Sequence, residues 1–210
     1  MLTELQKDLL VELLNTNLGV AASLLSEMVN QKVILSLPTL ELQKGNEIDL
    51  KPLEKEDSEF HTSVLGSMRF GKDFSGNAYI VFPAEKAKYL VEACLGEEEN
   101  ENENELYGKL TAQDFDVIKE ISNIIFNAVI GGFANLFELK LEYSLPQIEM
   151  TVVNSMETSL LPENMHFLSM FNSFYLSRSQ VRGMIFIALS ISSENMLLEK
   201  INEMLVDIND

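Results

Sequence analysis

The sequence repeats itself at a spacing of 108 residues. Between Leu2 and Glu41, ten of the forty positions carry the same amino acid 108 residues further along. Agreement of this extent is hard to attribute to chance, so the two halves descend from one unit or are built on one plan. The repeated residues are Leu2, Thr3, Asp8, Glu12, Asn15, Lys32, Ser36, Leu37, Pro38 and Glu41.

Each half also shows the same order of elements, which is helix, strands, helix. Apolar residues at helical spacing predict long helices over Thr3–Val29 and Thr111–Phe137. The segments Lys32–Leu42 and Lys140–Val153 predict strands, and each contains a proline that requires an edge position or a bulge. Further strands are predicted over Phe60–Phe70, Ala78–Phe82, Phe167–Leu176 and Met184–Ile191, and closing helices over Ala84–Leu95 and Ser193–Val206.

The repeat and the element order together predict an α+β fold. We expect duplicated helix–strand units related by a pseudo-twofold axis, with the long helices packed on an antiparallel sheet. Residues 1–96 and 107–210 would be the two halves of a single domain, residues 1–210. The segment between them, 97–106, contains six Glu and three Asn over Glu97–Glu105. Like charges so closely spaced predict a solvated linker, and a functional acidic segment is the alternative.

The charge balance limits the partners that this chain can bind. With 33 acidic and 15 basic residues, its net charge is −18, and such a field repels both nucleic-acid phosphates and anionic lipid. The sequence contains neither a run of about 18 apolar residues nor a signal-peptide pattern. We therefore expect a cytoplasmic protein that binds neither nucleic acid nor membrane. Its one cysteine, Cys94, excludes an internal disulfide and a cysteine-rich zinc site.

Three polar residues on each long helix keep their identity through the repeat, while apolar positions vary. Their i, i+4, i+7 spacing places them on one helix face, within about 60° of arc. An ordinary solvent face requires polarity but not identity, so retention of three residue types indicates a binding or catalytic surface. A proline follows the asparagine after 22 residues in each half. The two sets are Asp8, Glu12, Asn15 and Pro38, and Asp116, Glu120, Asn123 and Pro146.

The chemistry of these side chains points to an incomplete site. A carboxylate accepts hydrogen bonds or pairs with a cation, whereas a carboxamide both donates and accepts and can orient a water molecule. The set contains no nucleophile and no histidine base. It therefore suits water positioning in a reaction whose electrophile, metal and charge stabilisation come from a partner.

Two other patterns favour chemistry only weakly. The segment Gly66–Lys72 has the spacing of a phosphate-binding loop, but Asp73 follows where Ser or Thr must meet Mg²⁺. His61 and His166 lie far apart in the sequence without a nearby cysteine, so a metal site is not expected.

The repeated polar pattern resembles the Asp/Ser-x3-Glu-x2-Asn-x22-Pro signature of the CheC/CheX/FliY family of bacterial chemotaxis phosphatases. The segments EISNIIFNAVIGGFANLF and AYIVFP also look like family segments, and the resemblance covers nearly the whole chain. It is nearest to the CheC type, which carries two such units in one chain, whereas the CheX type carries one and dimerises. A FliY-type member is expected to add a flagellar-switch domain, which does not appear before Asp210.

The resemblance implies a CheC-like fold and a phosphatase that hydrolyses the aspartyl-phosphate of a CheY-type response-regulator receiver domain. Glu12 or Glu120 would pair with the active-site lysine of the receiver, and Asn15 or Asn123 would orient the attacking water. The protein would need no cofactor of its own, because Mg²⁺ is expected in the receiver. The remaining signature residues would support the surface: Asp8, Pro38, Asp116 and Pro146.

A different class of function stays open at this point. The chain could be a non-catalytic adaptor that binds a phosphorylated receiver or a CheD-type deamidase. In either case we expect a monomer with internal pseudo-symmetry. Both functions require exposed helix faces, so burial of either polar set would exclude a catalytic role for that half.

Overall fold

Four helices and one eight-stranded antiparallel sheet make up the described part of the chain. This computed structural model describes residues 2–36, 39–44, 62–96, 110–152, 166–176 and 179–209. The elements are α1 (Glu4–Met28), β1 (Ile34–Leu35), β2 (Thr39–Lys44), β3 (Thr62–Gly71), β4 (Gly76–Pro83), α2 (Ala84–Leu95), α3 (Ala112–Leu136), β5 (Glu142–Tyr143), β6 (Gln147–Val152), β7 (His166–Leu176), β8 (Ser179–Leu189) and α4 (Ile191–Asn209).

The two long helices begin at equivalent capping boxes. Thr3 and Gln6 exchange hydrogen bonds at the start of α1, with the Thr3 N–H donating to Gln6 Oε1 over 2.8 Å. Thr111 and Asp114, 108 residues further on, do the same at the start of α3. Each exchange satisfies two backbone donors that a helix N-terminus leaves free, which explains why both predicted long helices are confirmed to within two residues.

The two closing helices have different starts and ends. α2 covers the predicted residues and ends at Gly96, whose φ of 67° is the left-handed conformation that glycine adopts without strain. α4 begins two residues before the predicted start, because the Ser190 hydroxyl accepts a hydrogen bond from the Ser193 N–H and caps the helix there.

The sheet interleaves the two halves of the chain. Its order is β1-β7-β8-β4-β3-β5, with β2 also pairing with β7 and β6 with β3. The edge strands of each half therefore pair with a long strand of the other half, and β4 and β8 meet at the centre. If each strand is replaced by its equivalent in the other half, the same order results, read in the opposite direction. This symmetry supports the predicted two-fold relation.

A one-residue bulge lies between β5 and β6, opposite β3. Tyr143 and Gln147 are four residues apart, but their partners Phe70 and Ser67 are only three apart. Pro146, which is buried, lies in this interval. The equivalent strands show the same offset, with four residues from Leu35 to Thr39 opposite three on β7. The bulge expected from a strand proline is thus confirmed in the second half, whereas Pro38 itself lies outside the described residues.

Long helices α1 and α3 pack side by side on the sheet. Each is long and apolar enough, by length and composition alone, to cross a membrane. In this fold the apolar residues have another role, because one face of each helix forms the core with the inner side of the sheet. The core residues of α1 are Leu9, Leu10, Leu14, Leu18 and Leu25, and those of α3 include Ile118, Ile121, Ile125, Phe126, Val129 and Phe133.

One pair of polar side chains links each long helix to the closing helix of the other half. Gln6 donates from Nε2 to Asn202 Oδ1 of α4 over 2.8 Å, and Lys88 of α2 donates to both carboxylate oxygens of Asp114. Gln6 and Asp114 are equivalent in the repeat. In each half, the residue at this position therefore caps its own long helix and also bonds the closing helix of the other half.

Some sequence-based predictions fall on residues that the structure does not describe. These are the acidic linker Glu97–Glu105 and His61. The division of the chain into the halves 1–96 and 107–210 stays a prediction.

Adjacent glycines of α3 should respond oppositely to alanine. A Cβ on Gly131 would meet no atom within 4 Å, whereas a Cβ on Gly132 would lie 2.8 Å from Cγ of Asn17 on α1. We expect Gly131→Ala to stabilise the fold by about 0.5–1 kcal/mol through helix propensity. Gly132→Ala should be destabilising relative to it by about 1–3 kcal/mol, because the Asn17 side chain must move and its hydrogen bond to the Leu13 carbonyl is disturbed. Urea denaturation of both variants measures the difference, and equal stabilities would contradict this packing.

Candidate functional site

Both polar sets lie on the outer faces of the long helices. Asp8, Glu12 and Asn15 of α1 are exposed. On α3, Asp116 and Glu120 are exposed and Asn123 is half-buried. Core residues occupy the opposite face of each helix, so the periodicity that places leucine and isoleucine on the sheet turns these side chains outward. None of these six polar side chains is buried in a core network.

The two sets form separate sites on one side of the sheet. Asn17 of α1, two residues beyond Asn15, approaches Gly132 near the end of α3. Asn123 precedes Gly132 by nine residues, which corresponds to about 13 Å along the helix axis. Asn15 and Asn123 therefore do not converge on one reacting atom. We call the pair Glu12 and Asn15 the first site and the pair Glu120 and Asn123 the second site.

The carboxylates of both sites are available to a partner. Among the described residues, neither Glu12 nor Glu120 forms a salt bridge or a side-chain hydrogen bond. Glutamate and asparagine three residues apart stand on neighbouring helical turns, with Cβ atoms about 5–6 Å apart. A cation and a phosphoryl group at similar spacing in a partner could be contacted together.

The asparagines of the two sites differ in their surroundings. Asn15 forms no side-chain hydrogen bond with other described residues, and Gly19, one turn further on, leaves open space beside it. In the second site, Asn127 donates from Nδ2 to Oδ1 of Asn123 over 3.1 Å. Asn127 is equivalent to Gly19 in the repeat. Asn127 is not part of the repeated pattern and was not predicted, although its spacing of four residues from Asn123 on a helix indicates the contact.

The part of α3 that carries the second site packs closely against strand β3 of the sheet. Gly66 of β3 has no side chain, and a Cβ there would lie 3.0 Å from the Ser122 hydroxyl and 3.2 Å from Ile148 of β6. Ser122 is fully buried and immediately precedes Asn123. Ile148 follows Pro146 by two residues. The strand that begins after the signature proline therefore packs at the same point of the sheet as the helix segment that carries the signature asparagine.

A mostly apolar cavity of about 300 Å³ lies beside the first site, between α1 and α3. Gly132 contributes no side chain to it, whereas the equivalent residue of α1 in the repeat is Leu24. The surroundings of the two sites therefore differ here as well. The residues that line the cavity are Leu10, Leu13, Leu14, Thr16, Asn17, Gly132, Phe133, Asn135 and Leu136.

Other candidate groups have structural partners or lack reactivity. His166 of β7 pairs through Nδ1 with the Glu194 carboxylate at the start of α4. Burial raises the pKa of the Cys94 thiol to about 11, so little nucleophilic thiolate exists at neutral pH. Gly66 lies inside β3, and Lys72, in the turn after β3, lies 3.9 Å from the Glu142 carboxylate of β5, so this segment is not a phosphate-binding loop. Within the described ranges, no group of three metal-ligating side chains is present.

Comparisons with known proteins identify the fold. No protein-family model matches the sequence. The crystal structure of FliY from Thermotoga maritima is similar, with a TM-score of 0.74 and 16% identity, covering 97% of this chain and 98% of the solved FliY chain. A chain of the FliM–SpeE complex from H. pylori has a TM-score of 0.67 at 11% identity, covering 97% of both chains.

A third structure extends the comparison to smaller relatives. The chemotaxis protein CheX from Desulfovibrio desulfuricans has a TM-score of 0.51 at 11% identity, covering 85% of this chain and 99% of CheX. The predicted α+β fold and its family likeness are thus confirmed, while the specific likeness to two-site CheC stays a prediction. This chain has the fold that FliY, CheX and CheC-like proteins share with the FliM middle domain.

Proposed function

We propose that this protein is a phosphatase that hydrolyses the aspartyl-phosphate of a CheY-type receiver domain. The observation that carries the proposal is that both Glu-x2-Asn pairs are accessible on helices of a fold shared with FliY and CheX. The protein would act as a cytoplasmic monomer and would need no cofactor of its own.

The chemistry divides between the two proteins. Glu12 or Glu120 would pair with the active-site lysine of the receiver and fix the docked orientation. The asparagine one turn further on would then reach the phosphoryl group and hold a water molecule in line with the bond to be broken. Water oxygen bonds to phosphorus, the bond from phosphorus to the aspartyl oxygen breaks, and the products are inorganic phosphate and the aspartate carboxylate.

The asparagine acts by position and not as a base. A carboxamide does not take up a proton near neutral pH, so the proton of the attacking water leaves with the phosphate. The Mg²⁺ of the receiver would supply charge neutralisation at the phosphoryl oxygens. Acceleration by this protein therefore comes from orienting one water molecule in a site that the receiver largely provides.

A second candidate function is a non-catalytic adaptor. Structures of the same fold were solved in a FliM–SpeE complex and in a FliG–FliM complex from H. pylori. By analogy, the outer faces of α1 and α3 could bind a phosphorylated receiver, or a CheD-type deamidase, without hydrolysis. The two functions differ in the lifetime of the bound aspartyl-phosphate.

Phosphate release distinguishes these functions. A CheY-type receiver is phosphorylated in the presence of Mg²⁺, and release of inorganic phosphate is followed with and without this protein. A phosphatase shortens the lifetime of the phosphorylated receiver at substoichiometric concentration. Binding measured by titration calorimetry, with an unchanged lifetime, would favour the adaptor and contradict the phosphatase.

A further inference from the structure

The repeat places different residues one helical turn beyond the two signature asparagines. Gly19 follows Asn15, and Asn127 follows Asn123, each after four residues. Apart from the neighbouring backbone of α1 itself, no atom of the described residues lies within 4 Å of the position that a Gly19 Cβ would take. Asn127, in contrast, donates a hydrogen bond of 3.1 Å to the carboxamide oxygen of Asn123.

We propose that Asn127 is a positioning residue of the second site, which holds the Asn123 carboxamide in one orientation before the receiver binds. This inference rests on the proposed function and assigns different kinetic properties to the two sites. The bond from Asn127 uses one of two acceptor positions on Oδ1 of Asn123. The other acceptor position and both N–H donors of Asn123 stay available to water and phosphoryl oxygens.

The surroundings of Asn123 also restrict its side chain. Ser122 is buried against the sheet at Gly66, which fixes the helix backbone next to Asn123. The side chain of Asn123 is itself half-buried, whereas that of Asn15 is exposed. Gly19 also permits more backbone freedom in α1 than Asn127 does in α3. Asn15 therefore still has to be ordered inside the docked complex as the transition state forms, while Asn123 is already ordered.

Prior ordering should appear in kcat and not in KM. Fixing one rotatable side chain changes a rate by about two- to tenfold. In the Asn15→Ala background, only the second site acts, and Asn127→Ala should lower kcat by about three- to tenfold with KM unchanged. In the Asn123→Ala background, Gly19→Asn should raise kcat of the first site, and Asn127→Ala should have no effect.

If Asn127 had a purely structural role, Asn127→Ala would lower the unfolding temperature. The positioning role predicts no such loss, because alanine has a higher helix propensity than asparagine. A direct readout is NMR of the Asn123 side-chain amide, whose couplings should indicate one rotamer in the wild type and averaging in Asn127→Ala. This measurement needs neither the receiver nor phosphatase activity.

The outcomes separate this inference from the proposed function. If the wild type shortens the lifetime of the phosphorylated receiver but Asn127→Ala keeps the full kcat in the Asn15→Ala background, the positioning role is wrong. An averaged Asn123 rotamer in the wild type would overturn it as well. If the wild type does not accelerate phosphate release at all, the proposed function fails and the positioning role of Asn127 in that reaction fails with it, even where the NMR shows one rotamer.

Discussion

Alanine at both Asn15 and Asn123 is expected to remove the acceleration of phosphate release while leaving the fold and receiver binding intact. The loss in kcat should be at least about 100-fold, the size that follows when a positioned polar group is removed from the stabilisation of a reacting centre. Both side chains lie outside the core, so their truncation should change stability by about 0.5 kcal/mol or less. The measurement is phosphate release from a phosphorylated receiver with Mg²⁺.

The single variants divide the activity between the two sites. If the sites act independently, Asn15→Ala keeps the rate of the second site and Asn123→Ala keeps the rate of the first site. The two residual rates should then add up to that of the wild type. Asn195 provides a matched control, because it is an exposed asparagine on another helix, α4. Asn195→Ala should keep full activity. A double variant that still shortens the receiver lifetime would exclude water positioning by these asparagines.

Substituting the glutamates should affect a different kinetic constant. Glu12→Gln and Glu120→Gln remove the charge that would meet the receiver lysine but keep the shape of the side chain. Together they should raise KM more than they lower kcat, and the wild-type KM should rise with salt more steeply than that of the double variant. If the double Glu→Gln variant lowered kcat as much as the double Asn→Ala variant does, the glutamates and asparagines would not have separate roles in docking and in water positioning.

Local sequence patterns predicted most of the elements because those elements depend on nearby residues. The Thr3–Gln6 pattern before α1 and the glycine after α2 mark helix ends directly, and a strand proline requires an edge position or a bulge wherever the strand lies. The pairing of β3 with β6 and of β7 with β2 joins residues roughly 80 to 130 positions apart. No local pattern specifies which half an edge strand joins, so this pairing could not be predicted.

The repeat identified the exposed polar residues but not what surrounds them. It singled out Asn15 and Asn123 as equivalent. Within the described part of the chain, the Asn15 side chain has no hydrogen-bond partner, whereas Asn123 is bonded to Asn127. The difference results from residues that the two halves do not share, such as Gly19 and Asn127, and a search for identities excludes these. Asp114 was missed for the same reason, because its equivalent is Gln6.

Asp114→Ala should destabilise the protein by about 3–5 kcal/mol, the usual effect of removing one partner from a buried ion pair. The side chain of Asp114 is only 2% exposed, and it accepts hydrogen bonds from Lys88 Nζ and the Thr111 N–H. Without the carboxylate, the Lys88 ammonium loses its partner, and both the start of α3 and its link to α2 are weakened. Chemical denaturation at neutral pH measures the loss, and a change below 1 kcal/mol would contradict this role.

The contribution of Asp114 should also depend on pH in a defined direction. Burial alone would raise the pKa of Asp114, but the hydrogen bonds from Thr111 and Lys88 and the lysine charge outweigh it and lower the pKa below the ordinary 3.8. The native state therefore binds this proton more weakly than the unfolded state does. Its stabilisation is fully present above the unfolded-state pKa and is lost as the pH falls through the lowered native value.

Comparison with Asn at the same position isolates this effect. The stability difference between wild type and Asp114→Asn should be constant from about pH 5 to 8 and should shrink below about pH 4, as the wild-type carboxyl becomes protonated. Gln6→Ala is the matched control, because Gln6 occupies the equivalent capping position and bonds Asn202 without a titratable group. Its destabilisation, about 1–2 kcal/mol, should not change between pH 3 and 8. A pH-independent difference for Asp114→Asn would mean that packing, and not the carboxylate charge, holds α2 against α3.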